Sequence, residues 1–117
     1  MSMNVYITAS RKITFKKKNG QRGGGIQTVK FDAWQTPTNV TYEIVKSADP
    51  QQAYTNWILT ERSQDEDVLI YAEDDIFGEY VPVGRKTYNP GKEHVEKFRE
   101  WVQEVEEEGY TVKFEVM

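Results

Sequence analysis

Lys16, Lys17, Lys18 and Arg22 fall within seven residues, next to Gly23 and Gly24. Ammonium and guanidinium groups form charge-assisted hydrogen bonds to phosphate and carboxylate oxygens. Glycines let a backbone come close to an anion, and successive N–H groups can line a nest for it. Phosphate binding is therefore the chemistry expected of this stretch. It is not a Walker loop, because no Lys-Ser or Lys-Thr follows the glycines, and it is not a dinucleotide fingerprint. The plainer alternative is a solvated hairpin end.

Other groups add to this or stand apart from it. Trp34 lies beyond Lys30, and Arg85-Lys86 lies between Tyr80 and Tyr88. An aromatic ring beside a cation can stack on a base. The alternatives are a covered tryptophan and an ordinary edge strand. Asp65-Glu66-Asp67 and Glu73-Asp74-Asp75 lack the alternate spacing of a calcium loop, so solvated turns are expected and no metal is assigned. His94 is the single histidine, with no nucleophile or carboxylate at a triad-like spacing. A core-edge or helix-surface histidine is expected. No catalytic set emerges, no cofactor is implied, and the chain reads as a binding protein and not an enzyme.

The 117 residues carry a net charge of −4, unevenly spread. Residues 1–31 hold seven basic residues and no acid; residues 32–117 hold eight basic residues and nineteen acids. Such asymmetry points to an anionic partner for the first part, or to a contact between basic and acidic parts of two copies. There is no cysteine, which excludes disulfide scaffolds, thiolate zinc sites and thiol catalysis. No apolar run approaches the ~20 residues that span a bilayer, and no signal-peptide pattern opens the chain. A cytoplasmic protein of one domain, with no membrane partner, is expected.

The elements that must position these groups follow from periodicity. Met1 to Asn4 is expected to lie outside them. Val5, Ile7, Ala9, Ile13 and Phe15 alternate, as do Val29 and Phe31, so two half-buried strands flank the basic tip. Asn19-Gly20 is a strong hairpin-turn pair. Residues 40–45 alternate and read as a strand. Asp49-Pro50 and Asn89-Pro90 each combine an N-cap with proline at the first helical position, and Gly109 ends the second helix. Val68 to Tyr71 is apolar on both faces and is expected at a sheet centre. Residues 79–88, interrupted by Pro82 and Gly84, read as an edge strand, and residues 111–117 as a last strand. The expected architecture is α+β: residues 1–39 form a basic hairpin extension, and residues 40–117 a ferredoxin-like βαββαβ core with two helices on one face. That likeness is one of element order only. Val68, Ile70, Phe98, Val102, Val112 and Phe114 should share the core.

The second helix carries Glu100, Glu104 and Glu108 at i,i+4 spacing, and ends in acids that oppose its dipole. An acidic face of this kind suits a basic partner, including the tip of another copy. In general style the chain resembles small accessory proteins of phages and mobile elements, some of which sequester nucleotide immune signals or block defence complexes. No motif specifies such a family, so no residue role is carried over. The expected function is non-catalytic sequestration of a nucleotide-like anion by Lys16, Lys17, Lys18, Arg22, Gly23, Gly24, Trp34, Arg85 and Lys86, in a homo-oligomer. The alternatives are a protein–protein inhibitor acting on a host protein through the acidic second helix, and weak nucleic-acid binding.

Overall fold

Val5, Ile7 and Ala9 mark the middle of the fold. In the computed structural model, which describes residues 3–74, 76 and 78–117, all three are buried. They lie on β1 (Val5–Lys16), which pairs antiparallel with β2 (Arg22–Phe31) on one side and β5 (Thr111–Val116) on the other. The sheet order is β2-β1-β5. Strand alternation sends odd-numbered β1 residues to one face. Register sets Ile7 between Phe31 and Phe114, and Ala9 between Val29 and Val112. One apolar face therefore forms from three sequence-distant segments.

Three helices cover that face: α1 (Thr38–Lys46), α2 (Pro50–Glu61) and α3 (Pro90–Glu107). Ile44, Tyr54, Ile58, Val95, Phe98 and Val102 close the core over Val5 and Ile7. The Phe98 ring meets Phe31 at 5.2 Å, Tyr54 at 5.2 Å and Phe114 at 6.2 Å, all edge-on. Such tilted contacts suit the ring quadrupoles. Both expected caps form: Asp49 accepts from the Gln52 N–H, and Asn89 from the Lys92 N–H, each at 3.1 Å. Asn89 Nδ2 also donates to Ser63 and Asp65, tying the start of α3 to the chain after α2. Gly91 permits this approach, since a Cβ there would lie 2.5 Å from the Arg62 carbonyl oxygen.

Residues 40–45 are helical in α1, not a strand. Val40, Tyr42 and Ile44 fit a period of two, but Thr41, Ile44 and Val45 also fit a helical face. Tertiary contacts decide between them. The Thr41 hydroxyl is buried and donates to the Met3 carbonyl oxygen at 2.8 Å, while Ile44 enters the core. The ferredoxin-like order is consequently absent. β1 holds the sheet centre, and the root of the N-terminal hairpin is part of the core sheet rather than an extension of it.

The apolar run 68–71 is also placed differently from the expectation. It lies in β3 (Glu66–Glu73), which pairs only with β4 (Tyr80–Tyr88) in a separate two-stranded sheet. All of β3 is solvent-exposed, including Val68 and Ile70, so these two are not core residues. Pro82 and Gly84 flank a register shift at Val83, as a strand interrupted by proline and glycine favours. Phe98 and Val102 are buried, and Val112 and Phe114 are partly buried against them. Two hairpins project from the core. The extents are 66 × 42 × 29 Å and the radius of gyration is 20.5 Å, against about 13 Å for a compact chain of this length. Among the described residues, no helix is long and apolar enough to cross a membrane.

Candidate functional site

The face of the sheet opposite the helices collects the even-numbered residues of β1. Tyr6, Thr8, Ser10, Lys12, Thr14 and Lys16 follow one another along it. Register adds Arg22, Gly24, Ile26, Thr28 and Lys30 from β2, and Thr111, Lys113 and Glu115 from β5. Lys12, Lys16, Arg22, Lys30 and Lys113 thus share one face. From Tyr6 to Lys16 the row runs about 33 Å at the rise of an extended strand. Glu115 is the acid among these strand residues, and it is paired with Lys113 at 2.7 Å. Lys30 Nζ stands 4.9 Å above the Tyr6 ring, a cation–π contact that holds both in the row. Ser10 and Thr28 hydroxyls meet at 3.1 Å.

The basic tip is built by local turn chemistry. Gly20 takes φ +83°, the Gly20 N–H donates to the Lys17 carbonyl at 3.0 Å, and Asn19 Oδ1 accepts from the Gln21 N–H at 3.1 Å. Lys16, Lys17, Lys18 and Arg22 are all exposed there. Gly23 and Gly24 do not form a nest. They lie within β2, paired with Phe15 and Thr14, and neither has positive φ. Gly23 instead makes room for the Phe15 ring, whose nearest carbon lies 2.5 Å from where a Cβ would stand. Gly24 opens on the basic face, with only the Ile13 carbonyl near its Cβ position, at 3.6 Å. Charge at this tip therefore comes from side chains, with bare backbone beside them. Thr14, Phe15, Lys16 and Arg22 line a shallow hollow of about 300 Å³.

The other expected site residues are elsewhere. Trp34 lies past the far end of β2, and Arg22 to Phe31 alone spans about 30 Å. Its ring stacks on His94 at 4.3 Å, and its backbone N–H donates to the Tyr54 oxygen at 2.9 Å. Trp34 borders a cleft of about 600 Å³ with Glu61, Arg62, Gln64 and Glu66. Arg85 and Lys86 lie on β4 opposite Leu69 and Val68, on the other hairpin. The nine expected residues therefore divide among three places, and only Lys16, Lys17, Lys18, Arg22, Gly23 and Gly24 are together.

Tyr54 and His94 form a buried polar pair, with 2.7 Å between the Tyr54 oxygen and His94 Nε2. Burial is the main cause that pushes the Tyr54 hydroxyl up to about 12, and burial also lowers the His94 pKa. Both groups are neutral at pH 7. The Tyr54 oxygen accepts from the Trp34 backbone N–H and shares a further hydrogen bond with His94 Nε2. Tyr54 has no exposed surface, so this trio fastens β2's exit to α2 and α3. The acidic end of α3 finds its cation from outside the helix. Arg11 donates to the Glu108 carbonyl oxygen at 2.7 Å and lies 4.5 Å from the Tyr110 ring centre. Among the described residues, no cluster of three His, Asp or Glu side chains is placed to hold a metal.

Tyr6, Lys12, Lys30 and Lys113 escaped the expected site. Alternation along β1 is a signal for Tyr6 and Lys12. Nothing local in the sequence puts Lys113 beside them. No protein-family model matches the chain, and no curated protein or solved structure is significantly similar to it.

Proposed function

We propose that this is a non-catalytic binding protein that takes an extended polyanion, of the nucleic-acid backbone type, along the open face of its core sheet and basic hairpin. One observation carries the reading: five cations recur over about 26 Å of the strip, from the level of Thr8 to Lys16, with a single acid that is already paired. A strip of this shape suits a chain of phosphates better than one small molecule. Ser10 and Thr14 add hydroxyl groups between the cations, and Tyr6 and Ile26 add surface for bases.

The test is oligonucleotide binding across a salt series. Neutralising about four phosphates of a single strand gives a slope of log K against log salt of about −3. The double variant Lys16→Ala/Arg22→Ala should weaken binding at least tenfold. Lys30→Ala should reduce the slope by about 0.7, the share of one phosphate. Salt-independent binding, or a double variant that binds like the parent, overturns the reading.

A second reading keeps a single nucleotide-like anion, favoured by the hollow at the tip. There Phe15, 47% exposed, offers a ring beside Lys16 and Arg22. Calorimetry with linear and cyclic mononucleotides separates the two, because this reading requires tight binding without a longer chain. Chromatography of the recovered ligand tests the non-catalytic claim, since a new product would mean turnover.

A further inference from the structure

The two projecting hairpins carry opposite charge. The basic arm, residues 12–26, has five basic residues and no acid. The acidic arm, residues 66–88, has six acids and two basic residues. Among the described residues the ion pairs are Lys97–Glu93 and Lys113–Glu115, so no described charge of either arm is held in an ion pair.

The acidic arm is also apolar on both faces. Val68, Ile70 and Val81 lie on one side, and Leu69, Tyr71 and Tyr80 on the other, and among the described residues no helix or third strand lies over either. Tyr71 is 53% exposed and Tyr80 73%. A two-stranded hairpin in water is marginally stable unless something packs on it. Both of its outer edges are free for pairing, and so is the outer edge of β2. The basic arm brings its own apolar groups, Phe15 and Ile26, the latter 70% exposed.

We propose that the acidic arm of one copy docks on the basic arm of a second copy. Like arms would set like charges together, whereas unlike arms match in sign, in apolar surface and in open edges. A two-fold axis lets each copy give one basic and one acidic arm, so both contacts form at once and the assembly closes as a dimer. Strand addition at the free edges supplies backbone hydrogen bonds. Rim charges set pairing and salt dependence, and the covered apolar faces hold the pair together. The inference does not depend on which anion the open sheet face takes. A polyanion on the basic arm competes with the second copy.

The experiment is sedimentation velocity at tens of micromolar with charge-reversed arms. The basic arm is reversed by K16E/K17E/R22E, and the acidic arm by E73K/D74K/E79K. The parent should sediment as a dimer at low salt and dissociate at least tenfold more readily near 1 M salt, where the Debye length falls to ~3 Å. Each variant alone should be a monomer, and an equimolar mixture of the two should restore the dimer mass. Far-ultraviolet dichroism checks that the variants are folded. If either fails that check, the milder K16Q/K17Q/R22Q and E73Q/D74N/E79Q sets should still weaken the dimer. A parent that stays monomeric at low salt overturns the proposal. So does a dimer that survives both reversals, which would mean pairing of like arms through their apolar faces. Loss of both single assemblies without rescue on mixing also overturns it. Oligonucleotide binding measured on Lys30→Ala and Lys113→Ala, away from the arm tip, fails or holds separately from these outcomes.

Discussion

The two hairpins are built from similar local material and held in different ways. Each has two antiparallel strands, a glycine near its turn and charges at its tip. The root of the basic hairpin gains β5 as a third strand and helices on its apolar face, so Val5, Ile7 and Ala9 are buried. The acidic hairpin gains neither, and every residue of β3 is exposed although Val68 to Tyr71 is the most continuous apolar run in the strands. Apolar content alone does not decide burial. The decisive difference is a partner about one hundred residues away, which one hairpin has and the other lacks within the chain.

Side-chain truncation breaks the comparison most sharply. Phe98 is 1% exposed and touches Phe31, Tyr54 and Phe114, so Phe98→Ala should cost ~3–5 kcal/mol in denaturant unfolding. Ile70→Ala, in the acidic arm, should stay within ~0.5 kcal/mol in the monomer at high salt. A loss below ~1 kcal/mol at Phe98 would mean that α3 packs by another face. A large loss at Ile70 would mean that the arm is covered within its own chain.

Glycine substitutions give a smaller, parallel contrast. A methyl at Gly91 would meet the Arg62 carbonyl oxygen at 2.5 Å and the Ser63 nitrogen at 2.9 Å, and backbone atoms do not move aside cheaply. Gly91→Ala should therefore destabilise by ~1–3 kcal/mol, as overpacking does. Nothing lies within 4 Å of a Cβ at Gly84, and its φ is not positive, so Gly84→Ala should leave stability nearly unchanged. Equal effects at the two sites would remove the claim that α3 starts against the end of α2.

What could be read in the sequence follows from the range of the interactions. Asp49-Pro50, Asn89-Pro90 and Gly109 fix helix ends through contacts within a few residues, and they were legible. Residues 40–45 were not, because Val40 and Ile44 satisfy both periods and the choice rests on Thr41 meeting Met3. The charged tip was legible because Asn19-Gly20 closes it locally. Its glycines were misread as a nest, because only the pairing of Gly23 with Phe15 reveals a strand with an aromatic ring across it. Trp34 lies past the end of its strand, where alternation no longer gives its direction. Lys113 joins the basic face through β1–β5 pairing, which no local pattern announces.

The smallest expected effect isolates the core from both arms by pH. His94 is the chain's only histidine and lies in the core beside Tyr54 and Trp34. Burial lowers its pKa below the ordinary value of about 6.5, so the folded state binds its proton less readily than the unfolded chain does. Between those two values the unfolded state holds more protons, and stability rises with pH. The contribution of neutral His94 is thus complete above about pH 6.5 and is lost as pH falls through the lower folded value. The His94 ring resonances should titrate with a midpoint below that of a free imidazole. His94→Gln should flatten the part of the unfolding curve below about pH 6.5 that arises from this group. A midpoint at or above the free value would mean that the ring is hydrated or faces an unshielded carboxylate such as Asp32, and the Tyr54–His94–Trp34 fastening of the core would then need another explanation.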